Sequence, residues 1–200
     1  MVTEHCILLL GPSGIGKTTV VKHLQSRVKD LHALSLDNIT HKYARELGLI
    51  SHRDDLNGLL TVLEQDRDRF FNFGLEALEQ HVNVDDDKPI LVDVGTGFLD
   101  SSNSLKWIHQ HSSIALIANN VIAFDRFRKH RKVDVTYEQY MATQFHTSRI
   151  KAYNEAAVII RTDLLDEVTT VRRTALSVFG LCSENVGSRL LEQWLANKIN

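Results

Sequence analysis

A glycine-rich segment near the start of the chain constrains the fold more than any other feature. It follows the pattern G-x-x-x-x-G-K-[ST] and lies between a short apolar run, Cys6–Leu10, and a stretch with helical periodicity, residues 18–29. A strand–loop–helix context is the one in which this pattern forms a phosphate-binding loop. The predicted nucleotide-binding residues are those of the loop: Gly11, Pro12, Ser13, Gly14, Ile15, Gly16, Lys17, Thr18 and Thr19.

The residue types of this loop suit a nucleoside triphosphate. Glycines allow the backbone to curl so that its N–H groups point inward, and the helix beginning near Lys17 adds the positive end of its dipole. Lys17 can place its ammonium group on the β- and γ-phosphates, and the Thr18 hydroxyl can coordinate magnesium. No N-K-x-D sequence is present, which counts against a guanine nucleotide. The expected cofactors are ATP and Mg²⁺.

Short apolar runs alternate with helical patterns along the rest of the chain. The predicted strands are residues 6–10, 34–36, 89–93, 114–118 and 157–160, and the predicted helical regions are 18–29, 39–47, 56–82, 123–153, 166–179 and 188–199. Such alternation is typical of crossover units and of a parallel sheet covered on both faces, with ligands at the carboxyl ends of the strands. We expect a three-layer α/β/α fold with a five-stranded parallel sheet, as in phosphate-loop NTPases of the nucleoside monophosphate kinase type.

Composition limits the other possibilities. A chain of 200 residues suits one domain, here residues 1–200, and a formal net charge of −2 supplies no general attraction to nucleic acid or anionic membranes. The apolar run Cys6–Leu10 is far shorter than the roughly 20 residues of a membrane span, and Glu4 before it argues against a secretory signal. Cys6 and Cys182 lie near opposite ends, so we expect buried thiols in a cytoplasmic protein.

Two predicted strands end in polar motifs that carry a family resemblance. Ser35-Leu36-Asp37 follows the second strand, and Leu91-Val-Asp93-Val-Gly95-Thr96-Gly97 ends the third. They resemble the D-x-D and triple-glycine motifs of the shikimate kinases and related small kinases, over roughly residues 5–180. The resemblance implies that Asp37 anchors the substrate hydroxyl and accepts its proton, and that Gly95 and Gly97 line the substrate pocket. Asp93 also resembles a Walker B carboxylate, which would hold magnesium through water. Alternatively, either aspartate could cap a helix, and the glycines could form a plain turn.

A basic stretch, Arg126-Phe-Arg128-Lys129-His130-Arg131-Lys132, follows the fourth strand. The residues before it resemble the approach to the mobile lid of the same family, which places a lid at about residues 126–148. The resemblance implies that Arg126 stacks on adenine and that Arg131 reaches the transferring phosphate. The family's R-P-L-L is replaced by Arg131-Lys-Val-Asp, so Lys132 is an alternative lid cation. A solvated cationic helix face is the other interpretation.

The segment Arg149-Ile-Lys-Ala-Tyr153-Asn-Glu-Ala-Ala157 resembles the family's R-x-x-x-Y-x-x-x-A. There the arginine pairs with the substrate carboxylate through two parallel hydrogen bonds, which a lysine could not reproduce. Arg149 is therefore the candidate for binding a carboxylate, with an ion pair at the surface as the alternative, and Tyr153 is expected to pack in the core. The family's second such arginine, in an F-R motif, has no clear counterpart, although Arg67 or Arg69 could substitute.

These residues predict an enzyme that transfers the γ-phosphate of ATP to a hydroxyl of a small carboxylated molecule, with Lys17, Asp37 and Arg131 as catalytic residues. The altered substrate motifs leave open a phosphate-loop ATPase or a nucleotide-binding regulatory module without such an acceptor.

Near-neutral charge disfavours nucleic acid as a partner of the basic stretch, and no membrane partner is expected. We expect a monomer or weak homodimer, an extra C-terminal helix at about 188–199 that packs on the core, and His109 and His111 in a solvated loop rather than a metal site.

Overall fold

A five-stranded sheet forms the centre of the structure, a computed structural model that describes residues 6–51, 55–82 and 88–197. The strands are β1 (Cys6–Leu10), β2 (His32–Ser35), β3 (Ile90–Asp93), β4 (Ser112–Ile117) and β5 (Val158–Arg161). Their order is β2-β3-β1-β4-β5, and each neighbouring pair is parallel. Leu9 lies opposite Asp93, so the ends of β1 and β3 meet at the edge where the phosphate loop begins. The prediction of a five-stranded parallel sheet is confirmed.

Helices cover both faces of this sheet, as the alternating pattern predicts. Within the described residues they are α1 (Lys17–Arg27), α2 (Leu36–Glu46), α3 (Leu56–Val62), α4 (Arg67–His81), α5 (Ser104–His109), α6 (Asn120–Arg131), α7 (Tyr137–Gln144), α8 (Thr147–Asn154), α9 (Glu167–Leu181) and α10 (Glu184–Ala196). Successive side chains of β1 point to opposite faces. Leu8 and Leu10 therefore pack with α2, α3, α4, α5 and α8, while Ile7 and Leu9 pack with the remaining helices.

The helical region predicted at 56–82 is two helices rather than one. Glu64 and Gln65 adopt left-handed backbone conformations, with φ of 59° and 60°, which ends α3. Asp66 then caps α4, because its carboxylate accepts hydrogen bonds from the backbone N–H groups of Asp68 and Arg69. Apolar periodicity continues through both helices and so conceals the break between them.

The region predicted as helical at 123–153 is divided twice. Lys132 takes a left-handed conformation, with φ of 52°, at the end of α6. Thr136 and Gln139 form a capping box that starts α7, and His146 precedes α8. In addition, α5 was not predicted, and five elements begin two to four residues earlier than the sequence indicates, namely β2, α2, β4, α6 and α10.

The C-terminal helix packs on the core, as predicted. Leu190 and Trp194 of α10 are buried, and the Arg27 guanidinium carbon lies 3.7 Å from the centre of the Trp194 ring. Cys6 is buried and Cys182 half-buried, both with free thiols. No helix in the described part of the chain is both long enough and apolar enough to cross a bilayer.

Candidate active site

The phosphate loop connects β1 to α1 in a conformation that only glycine tolerates at its tightest points. Gly11 and Gly14 have φ of 141° and 84°. A Cβ atom on Gly14 would lie 2.7 Å from the backbone Cα of Phe127, and one on Gly11 would overlap the carbonyl oxygen of Leu116. The loop is therefore pressed against β4 and α6, and the motif glycines are required by both conformation and space.

Lys17, Thr18 and Asp93 meet where β1 and β3 end side by side. Nζ of Lys17 donates a hydrogen bond to the Gly11 carbonyl oxygen at 2.8 Å and lies 3.9 Å from Oδ1 of Asp93. The Thr18 hydroxyl donates to Oδ2 of Asp93 at 3.2 Å. Burial lowers the pKa of Lys17, while the carboxylates of Asp93 and Asp37 oppose that change.

This donor set fits a magnesium ion that also binds phosphate. Mg²⁺ in nucleotide sites takes one or two protein oxygens and completes its shell with phosphates and water. Thr18 and Asp93, the predicted metal ligands, supply oxygens 3.2 Å apart. The described residues contain no cluster of three or more His, Cys, Asp or Glu side chains able to hold a metal ion by themselves. The two oxygens of Thr18 and Asp93 suit a site that a bound phosphate group would complete.

A cavity of about 660 Å³ opens from the phosphate loop towards the ends of β2 and β3. One side is formed by the phosphate loop and α1, together with the end of α6. The opposite side, which we call the β2–β3 wall, is formed by Ser35, Asp37, Asn38, Gly95 and Thr96. Hydroxyl, amide and carboxylate groups thus face the phosphate loop across one space.

Asp37 is the charged residue of the β2–β3 wall. It lies in the first turn of α2, and the cap of that helix is Ser35, whose hydroxyl accepts the Asn38 N–H. The alternative in which Asp37 caps the helix is therefore wrong. Burial raises the pKa of Asp37, the Asp93 carboxylate raises it further, and Lys17 and Arg131 oppose the shift. A cavity carboxylate with a raised pKa suits proton transfer.

The two predicted pocket glycines differ in position. Gly95 is buried and lines the cavity, and a Cβ atom there would lie 2.5 Å from Cγ of Asp37. Gly97 does not line the cavity, and its Cβ would lie 4.0 Å from Phe70. It is the second residue of a 3₁₀ turn, residues Thr96–Asp100, of which only Thr96 lines the cavity. Thr96 lines the cavity instead, so the substrate-pocket position predicted for Gly97 is wrong.

Arg131, and not its alternative Lys132, lines the main cavity. Arg131 ends α6 and lines the cavity beside His130, with Nη2 3.5 Å from the Ser13 hydroxyl oxygen. Lys132 is the left-handed cap that follows and does not line the cavity. Arg131 thus lies beside the phosphate loop.

Gln144, the last residue of α7, is a site residue that the sequence did not indicate. It is buried, and its Oε1 accepts a hydrogen bond from the backbone N–H of Ser13 at 2.9 Å. Arg131 and Gln144 therefore both contact Ser13, and the chain between them is held over the phosphate loop at both ends. The contact joins residues 131 positions apart, so no local pattern could reveal it.

Arg126 lies at a second, smaller cavity of about 190 Å³ on the other side of the phosphate loop. Nη1 of Arg126 donates to the Thr162 hydroxyl at 2.7 Å and Nη2 to the Thr162 carbonyl oxygen at 3.2 Å. Gly14, Gly16 and Thr19 form the loop side of this cavity, and Leu165 and Val171 form an apolar side. Two hydrogen bonds to Thr162 thus hold the Arg126 guanidinium at the edge of this cavity.

Arg149 does not face either cavity, contrary to its predicted role. It is buried, and Nε and Nη2 each donate to one carboxylate oxygen of Asp100 at 2.7 Å, while Nη1 donates to the Thr143 carbonyl oxygen. The guanidinium that would bind a substrate carboxylate is thus occupied by a carboxylate of the protein. The alternative, in which Arg149 forms an ion pair within the protein, is the one observed, although the pair is buried rather than at the surface. Tyr153 is buried among core residues, as predicted.

His109 and His111 each have a partner within the protein. His109 pairs with Glu155, and Nδ1 of His111 lies 2.8 Å from the Trp107 carbonyl oxygen. His111 is half-buried against α5 rather than fully solvated.

Solved structures show the same arrangement of strands and helices. The shikimate kinase of Bacteroides thetaiotaomicron superposes with a TM-score of 0.60 at 19% identity, covering 84% of this chain and 95% of that one. The fold is that of the shikimate kinases. The Acinetobacter baumannii shikimate kinase in complex with shikimate gives 0.53 at 20% identity, covering 99% of this chain and 97% of that one.

The same fold occurs in a protein with a different name. The tunicamycin resistance protein of Deinococcus radiodurans gives a TM-score of 0.57 at 20% identity, covering 90% of this chain and 98% of that one. No protein-family model and no curated protein sequence matches this chain. The shikimate-kinase fold is therefore shared among proteins whose names indicate different roles, and the acceptor has to be argued from the site.

Proposed function

We propose that this protein is a small-molecule kinase that transfers the γ-phosphate of ATP to a hydroxyl group in the presence of Mg²⁺. The observation that carries the proposal is that Asp37 faces the phosphate loop across the cavity that Lys17, Thr18, Asp93 and Arg131 also line. A module that only bound nucleotide would not need a carboxylate with a raised pKa on the opposite wall.

The phosphate loop and its neighbours would hold the donor. Backbone N–H groups of the loop and the N-terminus of α1 bind the phosphates, and Lys17 moves its ammonium group from the Gly11 carbonyl to the β- and γ-phosphates. Thr18, and Asp93 through water, would hold Mg²⁺, which would supply positive charge against the phosphate oxygens. The cavity beside Arg126 receives the adenine.

The β2–β3 wall would hold the acceptor. The acceptor oxygen attacks the γ-phosphorus, the bond to the β-phosphate oxygen breaks, and the hydroxyl proton passes to Asp37. The products are ADP and a phosphate monoester. Asp37 contributes mainly by orienting the hydroxyl in line with the leaving oxygen, since positioning dominates catalysis of phosphoryl transfer.

Residues 126–148 would act as the lid. Arg131 places positive charge on the transferring phosphoryl oxygens, and docking of Gln144 on Ser13 closes the site against water. This lid also discourages transfer to water, which competes with the acceptor for the same phosphate.

The nucleotide site is tested by Lys17→Ala. We expect weaker ATP binding by calorimetry and turnover below about 1% of wild type, because an oriented charge on the transferring group is lost. Lys29→Ala, at an exposed lysine just beyond α1 that lines neither cavity, is the matched control and should change both far less. ATP affinity equal to that of wild type in folded Lys17→Ala would contradict the assignment.

A further inference from the structure

The basic side chains that line the main cavity all lie on its phosphate side. Lys17 and Lys22 come from α1, and His130 and Arg131 from the end of α6. Among the described residues, the β2–β3 wall contributes no cation. Its recognition groups are the hydroxyls of Ser35 and Thr96, the amide of Asn38 and the carboxylate of Asp37.

Asp100 engages the arginines that could have supplied positive charge to that wall. It ends the 3₁₀ turn that begins at Thr96, and it forms the two-pronged ion pair with Arg149. Nη1 of Arg67 lies 3.8 Å from the same carboxylate. Arg69, the other candidate, is paired with Glu64 at 2.9 Å.

This ion pair resists exchange with an external carboxylate. The Arg149 and Asp100 side chains are only 10% and 15% exposed, so separating them would leave two poorly solvated charges. Nη1 of Arg149 donates to the Thr143 carbonyl oxygen, so each of the three guanidinium nitrogens has a partner within the protein, and Arg149 lines neither cavity. Asp100 is also tethered, and an intramolecular carboxylate outcompetes a dissolved one at ordinary concentrations.

The negative charge of the cavity also disfavours an acceptor that carries a carboxylate. Asp37 and Asp93 both line the cavity, and an acceptor with its own carboxylate would add a third negative charge beside them. A neutral acceptor avoids that repulsion and can exchange hydrogen bonds with Ser35, Asn38 and Thr96.

We infer that the acceptor is an uncharged, polyhydroxylated molecule, and that Asp100 closes off the arginine site that would otherwise favour hydroxy acids. This rests on the proposed kinase function and corrects the expectation of a carboxylated acceptor. Arg149 becomes a structural residue that joins the Thr96–Asp100 turn to the end of α7.

The test compares matched acceptors that differ only in charge. Coupled ADP release would be measured with shikimate and its methyl ester, with gluconate and gluconamide, and with neutral polyols. We expect kcat/KM for each neutral member to exceed that for its acid by about 10-fold or more, the scale of one charged contact. Higher kcat/KM for the acids would overturn the inference. ATP binding with no acceptor-dependent ADP release would instead contradict the proposed function.

Arg149→Lys separates a structural role from acceptor binding. The readout is the ratio of kcat/KM for the neutral and acidic members of a pair, which is insensitive to a general loss of activity. We expect that ratio to stay within about 3-fold of the wild-type value, since Arg149 would contact neither molecule. A selective loss of about 10-fold or more on the acid would show that Arg149 binds it, and would overturn the inference even if the variant is less stable.

Discussion

Gly95→Ala should disable the site by moving Asp37 without unfolding the protein. The added Cβ would lie 2.5 Å from Cγ and 2.6 Å from Oδ2 of Asp37. Ordinary contact begins near 3.4 Å and Oδ1 lies closer still than these two atoms, so the carboxylate must retreat by more than about 0.9 Å. Gly95 has φ of −63° and ψ of 142°, which any residue adopts, so the substitution adds no backbone strain. The steric clash is therefore confined to the carboxylate end of the Asp37 side chain.

The expected loss of turnover in Gly95→Ala follows from the displacement of the Asp37 carboxylate. A misplacement of about 1 Å at a reacting group can lower turnover by about 10²-fold, while rotation of a half-buried side chain costs little stability. We expect turnover on the best acceptor to fall by about that factor, with ATP affinity by calorimetry within about 3-fold of wild type.

Gly97→Ala is the matched control, because its nearest atom is 4.0 Å away. It should retain turnover within about 3-fold of wild type. Equal losses in the two variants, or unchanged turnover in a folded Gly95→Ala protein, would refute the assignment of Asp37 as the group that orients the acceptor.

Two further variants probe the wall and the lid. Asp37→Asn should reduce turnover by about 10²-fold, the scale of a lost proton acceptor. Because burial raises the pKa of Asp37 in the folded state, ionisation opposes folding, and wild-type stability should decline as pH rises through that pKa. Asp37→Asn should therefore melt at a higher temperature than wild type near neutral pH, and a lower melting temperature would argue that the carboxylate stabilises the fold. Gln144→Ala should lower the free energy of unfolding by about 1–3 kcal/mol, because the Ser13 N–H loses its acceptor, and should reduce turnover. Gln144→Glu keeps an acceptor oxygen and should retain stability in urea titrations, whereas equal stability losses in both variants would mean that the hydrogen bond is unimportant.

The features predicted from sequence are those encoded over short distances. The apolar run of β1, the glycines of the loop and the start of α1 are adjacent in the chain, so their geometry follows from local preferences. The pairing of Thr18 with Asp93 was also predictable. Asp93 ends one recognisable strand and Thr18 follows the loop after another, and neighbouring parallel strands bring their ends together.

The features missed from sequence depend on tertiary packing. Arg149 was assigned to a ligand because its own motif suggested one, yet its partner Asp100 lies 49 positions away on a turn that no pattern predicts. The break between α3 and α4 was hidden for a different reason. Glu64 and Gln65 are not residues that favour left-handed backbone, and the fold imposes that conformation on them.

Transfer of labelled γ-phosphate from ATP to an added acceptor tests the central claim most directly. Phosphorus NMR of the reaction mixture distinguishes a phosphate monoester from free inorganic phosphate. We predict Mg²⁺-dependent formation of a phosphate monoester from a neutral polyhydroxylated acceptor, in equal amounts with ADP and absent in Lys17→Ala. Tight ATP binding with only inorganic phosphate as product, whatever acceptor is supplied, would contradict the kinase assignment and favour a nucleotide-driven module.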